Sequence, residues 1–221
     1  MAGNGPMIAV NERHRAALAT ADERLRESER FHMGMGKVHE TLTALVADLE
    51  REGIDYAVIG GMALNRHGYQ RETVDVDVLV RPEGLDAFHD RLVGRGYRPA
   101  FDGARKTFKY TRTGTKVEFI TTGEYPGDGK PKPVVFPDPA AAYREIGGAR
   151  IIDLPRLVEL KLASGMTQPA RRRDLADIQD LIRTIGLDES LAQQLDPYVR
   201  EMYLTLLREL RSDNPYVEKP K

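Results

Sequence analysis

Apolar positions along the chain follow two rhythms, and the change between them marks the elements. From Val38 to Arg51, Leu42, Leu45, Val46 and Leu49 recur at three- and four-residue intervals, the spacing of one buried helix face. Gly53 follows as a helix end. Tyr56-Ala57-Val58-Ile59 is then an unbroken apolar run, short enough for a strand covered on both faces. Gly60-Gly61 turns the chain into a short helix, Met62 to His67, closed by Gly68. Residues 74–80 (VDVDVLV) alternate strictly, with Val74, Val76, Val78 and Val80 on one face and Asp75, Asp77 and Leu79 on the other. A helix is expected over Glu83 to Val93, then strands over Thr107–Thr111 and Lys116–Thr121 joined by a Thr113-Gly114 turn. The Gly- and Pro-rich residues 122–139 read as a loop, with a short strand expected at Val134–Phe136. Residues 122–133 suit either a lid or a long hairpin connection.

The helical period returns over Leu154–Ala163, Arg172–Ile185 and Pro197–Leu210, with Pro155 in a first turn and Gly186 past the second helix. Residues 10–31 are charged, free of Gly and Pro, and carry a thin stripe of Ala17, Leu18, Ala21 and Leu25. A helix so polar suits docking on a partner or self-association. The fold class that emerges is α/β (α+β), a small mixed sheet flanked by helices with a helical C-terminal subdomain. The expected division is a charged N-terminal helical extension at 1–36, a core at 37–150, a helical subdomain at 151–212 and a polar tail at 213–221.

Composition narrows the classes. With 33 Lys+Arg against 34 Asp+Glu, the net charge of −1 lacks the basic excess of a protein that coats long nucleic acid, so any such contact is local. The absence of Cys excludes disulfides and thiolate metal sites. The five His residues show no metal-ligand spacing. No apolar run is long enough for a bilayer and no signal-peptide pattern is present, so a cytoplasmic location without a membrane partner is expected.

The chemistry concentrates at three places. Asp75 and Asp77 share one strand face, where two like charges repel and burial is costly without a counter-charge. A divalent metal supplies one, and hard oxygen ligands suit Mg2+ with substrate phosphates. Glu118 stands alone in the apolar strand Lys116-Val117-Glu118-Phe119-Ile120, and pairing of that strand beside 74–80 would bring it to the same face as a third metal ligand or as a general base. Gly60-Gly61, between a strand and a helix, offers bare backbone N–H groups to a phosphate. Arg71 and Thr73, just ahead of the aspartates, are candidates to hold a triphosphate, Arg71 by charge. Lys161 sits between Leu160 and Leu162, where a solvated side chain is the simpler reading and a phosphate-binding one the sharper. Asp174 and Asp177 fall i, i+3 on one helix face beside the basic run Arg171–Arg173, with which they are expected to pair. Gly34-Met35-Gly36-Lys37 lacks the Walker spacing and is set aside.

These motifs together resemble the nucleotidyltransferase superfamily of DNA polymerase beta and kanamycin nucleotidyltransferase, whose pattern is a Gly-Gly or Gly-Ser turn, a short helix, Asp-x-Asp on the next strand and a third carboxylate later. Here the matches are Gly60-Gly61, Asp75-Val76-Asp77 and Glu118. The stretches 59–64 and 71–77, with Lys161 in 157–162 and the Arg-Asp element at 172–177, are similar to the bacterial abortive-infection-type (AbiEii-like) subgroup. The resemblance covers residues 54–185. It departs at Gly61, where Ser is frequent, and at Glu118, where Asp is frequent.

The resemblance implies a nucleotidyltransferase fold and transfer of a nucleoside monophosphate from an NTP to an acceptor with release of pyrophosphate. It implies Mg2+ as cofactor at Asp75, Asp77 and Glu118, the NTP at Gly60, Gly61, Arg71 and Thr73, and Lys161 and Asp174 as further catalytic candidates. RNA, including transfer RNA, protein and small molecules are all open as acceptors, and some subgroup members are toxins paired with an antitoxin. Two other readings stay open: a catalytically inactive nucleotide- or partner-binding relative, and an aminoglycoside-type antibiotic nucleotidyltransferase with an acidic cleft at Glu118, Glu124 and Asp128.

Overall fold

The computed structural model describes residues 36–212, together with Ser28 and Arg30, which are helical. The charged stretch 10–31 otherwise lies outside the described residues, as does the tail 213–221. Among the described residues no helix is long and apolar enough to cross a membrane.

Helix α1 (Lys37–Arg51) buries Val38, Leu42, Leu45, Val46 and Leu49, the face its periodicity marks. Gly53, with φ of +66°, lets the chain turn into β1 (Tyr56–Ile59), whose four residues are all buried. Then come α2 (Gly60–Arg66), β2 (Asp75–Val80), α3 (Pro82–Leu92), β3 (Tyr97–Pro99), β4 (Thr107–Tyr110), β5 (Lys116–Thr121), β6 (Tyr143–Ile146) and β7 (Ala149–Ile152). Helices α4 (Leu154–Thr167), α5 (Arg173–Ile185), α6 (Glu189–Ala192) and α7 (Pro197–Ser212) complete the order. A single 3-10 turn, Pro169–Arg171, links α4 to α5.

The strands form one mixed seven-stranded sheet in the order β3-β4-β5-β2-β1-β7-β6. β2 runs antiparallel to β1 and parallel to β5, and β1 runs parallel to β7. β1 is thus interior, with a strand on either side, which accounts for its unbroken apolar run. The β2–β5 register pairs Val76 with Val117, Asp77 with Glu118 and Val78 with Phe119. Directly paired residues share a face, so valines and Phe119 point one way and the carboxylates the other. On the apolar side, Phe88 of α3 packs its ring 4.4 Å from Phe119 and 5.0 Å from both Phe108 and Tyr97. That aromatic cluster leaves the opposite face for chemistry.

Helices α4, α5 and α7 pack on one another after the last strand. Asp153 caps α4 by accepting from the Arg156 N–H at 3.0 Å, which fixes where the helix leaves β7. Three expectations shift in detail. Val74 lies just outside β2 and is 78% exposed. Val134–Phe136 is not a strand; Phe136 instead exchanges backbone hydrogen bonds with Gly123 and Glu124, both at 2.9 Å, inside the 122–139 loop. The expected boundary at 150/151 falls inside β7.

Candidate active site

The carboxylates meet because two strands align. β2 presents Asp75 and Asp77 two residues apart, and β5 places Glu118 directly beside Asp77. One carboxylate oxygen from each of Asp75, Asp77 and Glu118 lies within 4.8 Å of the others. Hard divalent ions take carboxylate oxygens gathered in this way, so the three residues could together hold one cation. Burial, reinforced by the charges of Asp75 and Glu118, pushes the Asp77 carboxyl up to about 7. The cluster thus calls for positive charge. Lys116 answers in part: its ammonium stands 3.1 Å from Asp75 Oδ2 and 2.8 Å from Glu118 Oε2. Burial alone would lower that ammonium, but the hydrogen bonds to Glu118 and Asp75 outweigh it and hold Lys116 above its ordinary range.

The glycine turn lies against the same aspartate. Ile59 at the end of β1 pairs with Asp77, which brings Gly60 under the carboxylate. Gly60 has φ of +64°, and a Cβ there would come 2.0 Å from Asp77 Oδ2. At Gly61 a Cβ would meet Thr73 Oγ1 at 2.9 Å and Arg71 Nη1 at 3.3 Å. Both positions need glycine for close approach, and Gly60 also for its backbone angle. Thr73 Oγ1 donates to Asp75 Oδ1 at 2.9 Å, so it orients a carboxylate. Asn65, which sequence reasoning passed over, donates from Nδ2 to the Gly61 carbonyl at 2.9 Å and the Arg71 carbonyl at 2.7 Å. Its Oδ1 accepts the Arg71 N–H at 3.0 Å.

The C-terminal helices supply a second charged group. Lys161 of α4 is only 7% exposed, so the solvated reading fails. Its Nζ donates to Asp174 Oδ1 and Asp177 Oδ2 of α5, both at 2.7 Å. Ser164 Oγ donates to Asp174 Oδ2 at 2.6 Å. Asp177, 2% exposed, also stands 3.1 Å from Arg71 Nε. The two aspartates therefore pair with Lys161 and Arg71, not with Arg171–Arg173, whose side chains are exposed.

A cleft of about 440 Å³ joins these parts. Gly60, Gly61, Arg71, Thr73, Asp75, Asp77, Glu118, Lys161 and Asp174 all line it, and Lys116 lines it with them. Arg171 reaches its rim. The 122–139 loop forms another wall through Glu124, Tyr125, Pro126, Gly127 and Phe136. Gly127 sits so close to α4 that a Cβ would come 2.9 Å from the Ser164 carbonyl oxygen, so the loop backbone lies against the helix. Glu124 is engaged by Lys106 and Thr121. Asp128 pairs with Lys132 at 2.7 Å and does not line the cleft, so the expected acidic trio of Glu118, Glu124 and Asp128 is incomplete there. His67, beside the turn, bonds the Ile152 carbonyl at 2.8 Å and serves packing. Lys116 could have been found from its period-2 spacing to Glu118; Asn65 and Asp177 carry no comparable local signal.

No family model matches the sequence, and no curated protein matches it. Several solved structures are similar to it. One is ANT(2")-Ia in complex with adenylyl-2"-tobramycin, at 12% identity over 78% of this chain and 96% of that one, with a TM-score of 0.47. Another is JHP933 from Helicobacter pylori, at 18% identity over 80% of this chain and 76% of that one, with a TM-score of 0.44. A third is an antigenic nucleotidyltransferase-like protein from Paracoccidioides brasiliensis, at 17% identity, 80% and 88% coverage and a TM-score of 0.45.

Proposed function

We propose that the chain is a Mg2+-dependent nucleotidyltransferase that moves a nucleoside monophosphate from an NTP to an acceptor nucleophile. The observation that carries this reading is the convergence of Asp75, Asp77 and Glu118 within 4.8 Å, in a cleft whose adjoining wall is Gly60-Gly61 with Arg71 and Lys161. Three carboxylates alone are a cation site. Three carboxylates beside a bare-backbone turn and two cationic side chains are a site for a cation together with a polyphosphate.

Asp75, Asp77 and Glu118 would hold the metal, and Thr73 fixes the orientation of Asp75. When bound, the ion neutralises charge on the phosphates and polarises the phosphorus under attack. Gly60 and Gly61 let the triphosphate come against backbone rather than side chain. Arg71 and Lys161 offset charge that builds on the pyrophosphate as it leaves, which is the part of the reaction electrostatics helps most. Lys116, bonded to Asp75 and Glu118, keeps the carboxylate cluster compact. Loop residues Tyr125 and Phe136 and the apolar Ile120, Leu157 and Leu160 give the cleft the unpolarised surface that a base or acceptor can lie against.

The test is incubation with each α-labelled NTP, total RNA and lysate protein, comparing the native chain with Asp77→Ala. Label in RNA, protein or small-molecule fractions names the acceptor, and growth arrest on expression would add the toxin reading. Labelling that persists unchanged in Asp77→Ala overturns the proposal.

A further inference from the structure

The anion side of the cleft is built from pieces far apart in sequence, and two polar residues outside the cleft wall, the half-buried Asn65 and the buried Asp177, hold them together. Gly61 and Arg71 belong to opposite ends of a segment that leaves the sheet after β1 and returns at β2. Asn65, midway along, bonds the Gly61 carbonyl at 2.9 Å and both the carbonyl and N–H of Arg71, at 2.7 and 3.0 Å. Its amide thus uses both ends to fix the turn against the arginine backbone. The side chain of Arg71 is fixed from the other direction. Asp177 of α5 stands 3.1 Å from Arg71 Nε, while Arg71 Nη1 lies beside Gly61, 3.3 Å from where a Cβ would be. Arg71 Nε is buried and, although close to Asp177, is not aligned for a hydrogen bond. Charge alone holds the guanidinium there, and its Nη1 end is directed at the glycine turn. The second oxygen of the same Asp177 takes Lys161 at 2.7 Å. One carboxylate, 2% exposed, therefore contacts both Arg71 and Lys161.

We infer that Asn65 and Asp177 are positioning residues that preset Gly61, Arg71 and Lys161 as a receptor for the triphosphate chain of the nucleotide. The inference rests on the nucleotidyltransferase reading of the cleft, and it assigns the donor-binding geometry to residues that need not touch the donor. Preset donors lose little freedom on binding, so removal of the frame weakens polyphosphate affinity even when the protein stays folded.

The experiment is binding of inorganic tripolyphosphate with Mg2+ to Asn65→Ala, Asp177→Asn, Arg71→Ala and Lys161→Ala, each corrected for its folded fraction, beside KM and kcat for NTP. Loss of one charge-assisted contact corresponds to on the order of tenfold in affinity. Asn65→Ala and Asp177→Asn are each expected to weaken tripolyphosphate by about that factor and to raise KM more than they lower kcat. Adding Asn65→Ala to Arg71→Ala is expected to cost less than Asn65→Ala costs in the native chain, since its effect on the Arg71 side chain is already lost while its hold on Gly61 remains. If Arg71→Ala and Lys161→Ala lose affinity while Asn65→Ala and Asp177→Asn change only thermal stability, the positioning role is overturned and the cleft reading stands. If all four bind as the native chain does, the polyphosphate reading itself is overturned.

Discussion

At the scale of single residues, function here opposes stability. Asp75, Asp77 and Glu118 crowd their oxygens within 4.8 Å, and Lys116 bonds two of them. Removing one charge should relieve repulsion. Asp77→Asn is therefore expected to raise the melting temperature of the metal-free protein by a few degrees and to abolish the rise that Mg2+ gives the native chain. Thermal denaturation with and without Mg2+ checks both; a native chain indifferent to Mg2+ would count against the metal site. Lys116→Met is expected to do the reverse, lowering metal-free stability and enlarging the Mg2+ effect. Gly60→Ala places a methyl 2.0 Å from Asp77 Oδ2 at a backbone φ of +64°. It is expected to cut nucleotide transfer by about two orders of magnitude or more, since displacing a reacting group by about 1 Å costs on that order. Asp77 and Gly60 were readable in sequence as motif members; their contact was not, because it depends on β1 and β2 being antiparallel neighbours.

At the scale of elements, legibility followed length and periodicity. α1, β1, β2 and β5 were clear, since each repeats its apolar pattern or fills it completely. β3 and β6 were not read, because three or four residues such as Tyr143-Arg144-Glu145-Ile146 give too short a pattern. β7 was missed as Ala149–Ile152 is merged by sequence with the approach to α4. Val134–Phe136 looked like a strand from its apolar side chains but is anchored inside a loop. The packing of α3 makes a separate expectation. Phe88→Ala removes a ring that touches Phe119, Phe108 and Tyr97, and a loss of about 3–5 kcal/mol is expected in denaturant unfolding. Because that cluster lies on the far face, Mg2+ affinity of the folded protein should stay unchanged. At the junction of α2 and β7, burial lowers the His67 imidazole from 6.5, partly offset by its bond to the Ile152 carbonyl. The unfolded chain then binds the proton more readily than the folded one. The contribution of His67 is complete above pH 6.5 and is lost as pH falls from there through the folded value. His67→Gln is expected to flatten the stability profile on the acid side of 6.5, and an unaltered slope would remove His67 from that role.

At the scale of the whole molecule, the cleft is a joint between the sheet and the C-terminal helices. Carboxylates and the glycine turn come from the sheet, Lys161 and Asp174 from α4 and α5, and the 122–139 loop spans the two by lying on α4. Sequence reading identified both halves but paired Asp174 and Asp177 with neighbouring arginines; the fold pairs them with Lys161, 13 and 16 residues away, and pairs Asp177 with Arg71. Long-range ion pairs of this kind have no local signature. The half of the site proposed to bind the donor is thus legible from motif to geometry, whereas the cleft wall of Tyr125, Phe136 and apolar neighbours carries no comparable motif. The most direct measurement is a paired transfer assay with the same NTP labelled at the α-phosphate in one reaction and at the γ-phosphate in the other, with Mg2+ and lysate acceptors. Label from the α-phosphate in the acceptor, label from the γ-phosphate in released pyrophosphate, and neither with Asp77→Asn, is the expected result. Transfer of the γ-label to the acceptor, or α-label transfer that survives Asp77→Asn, would contradict it.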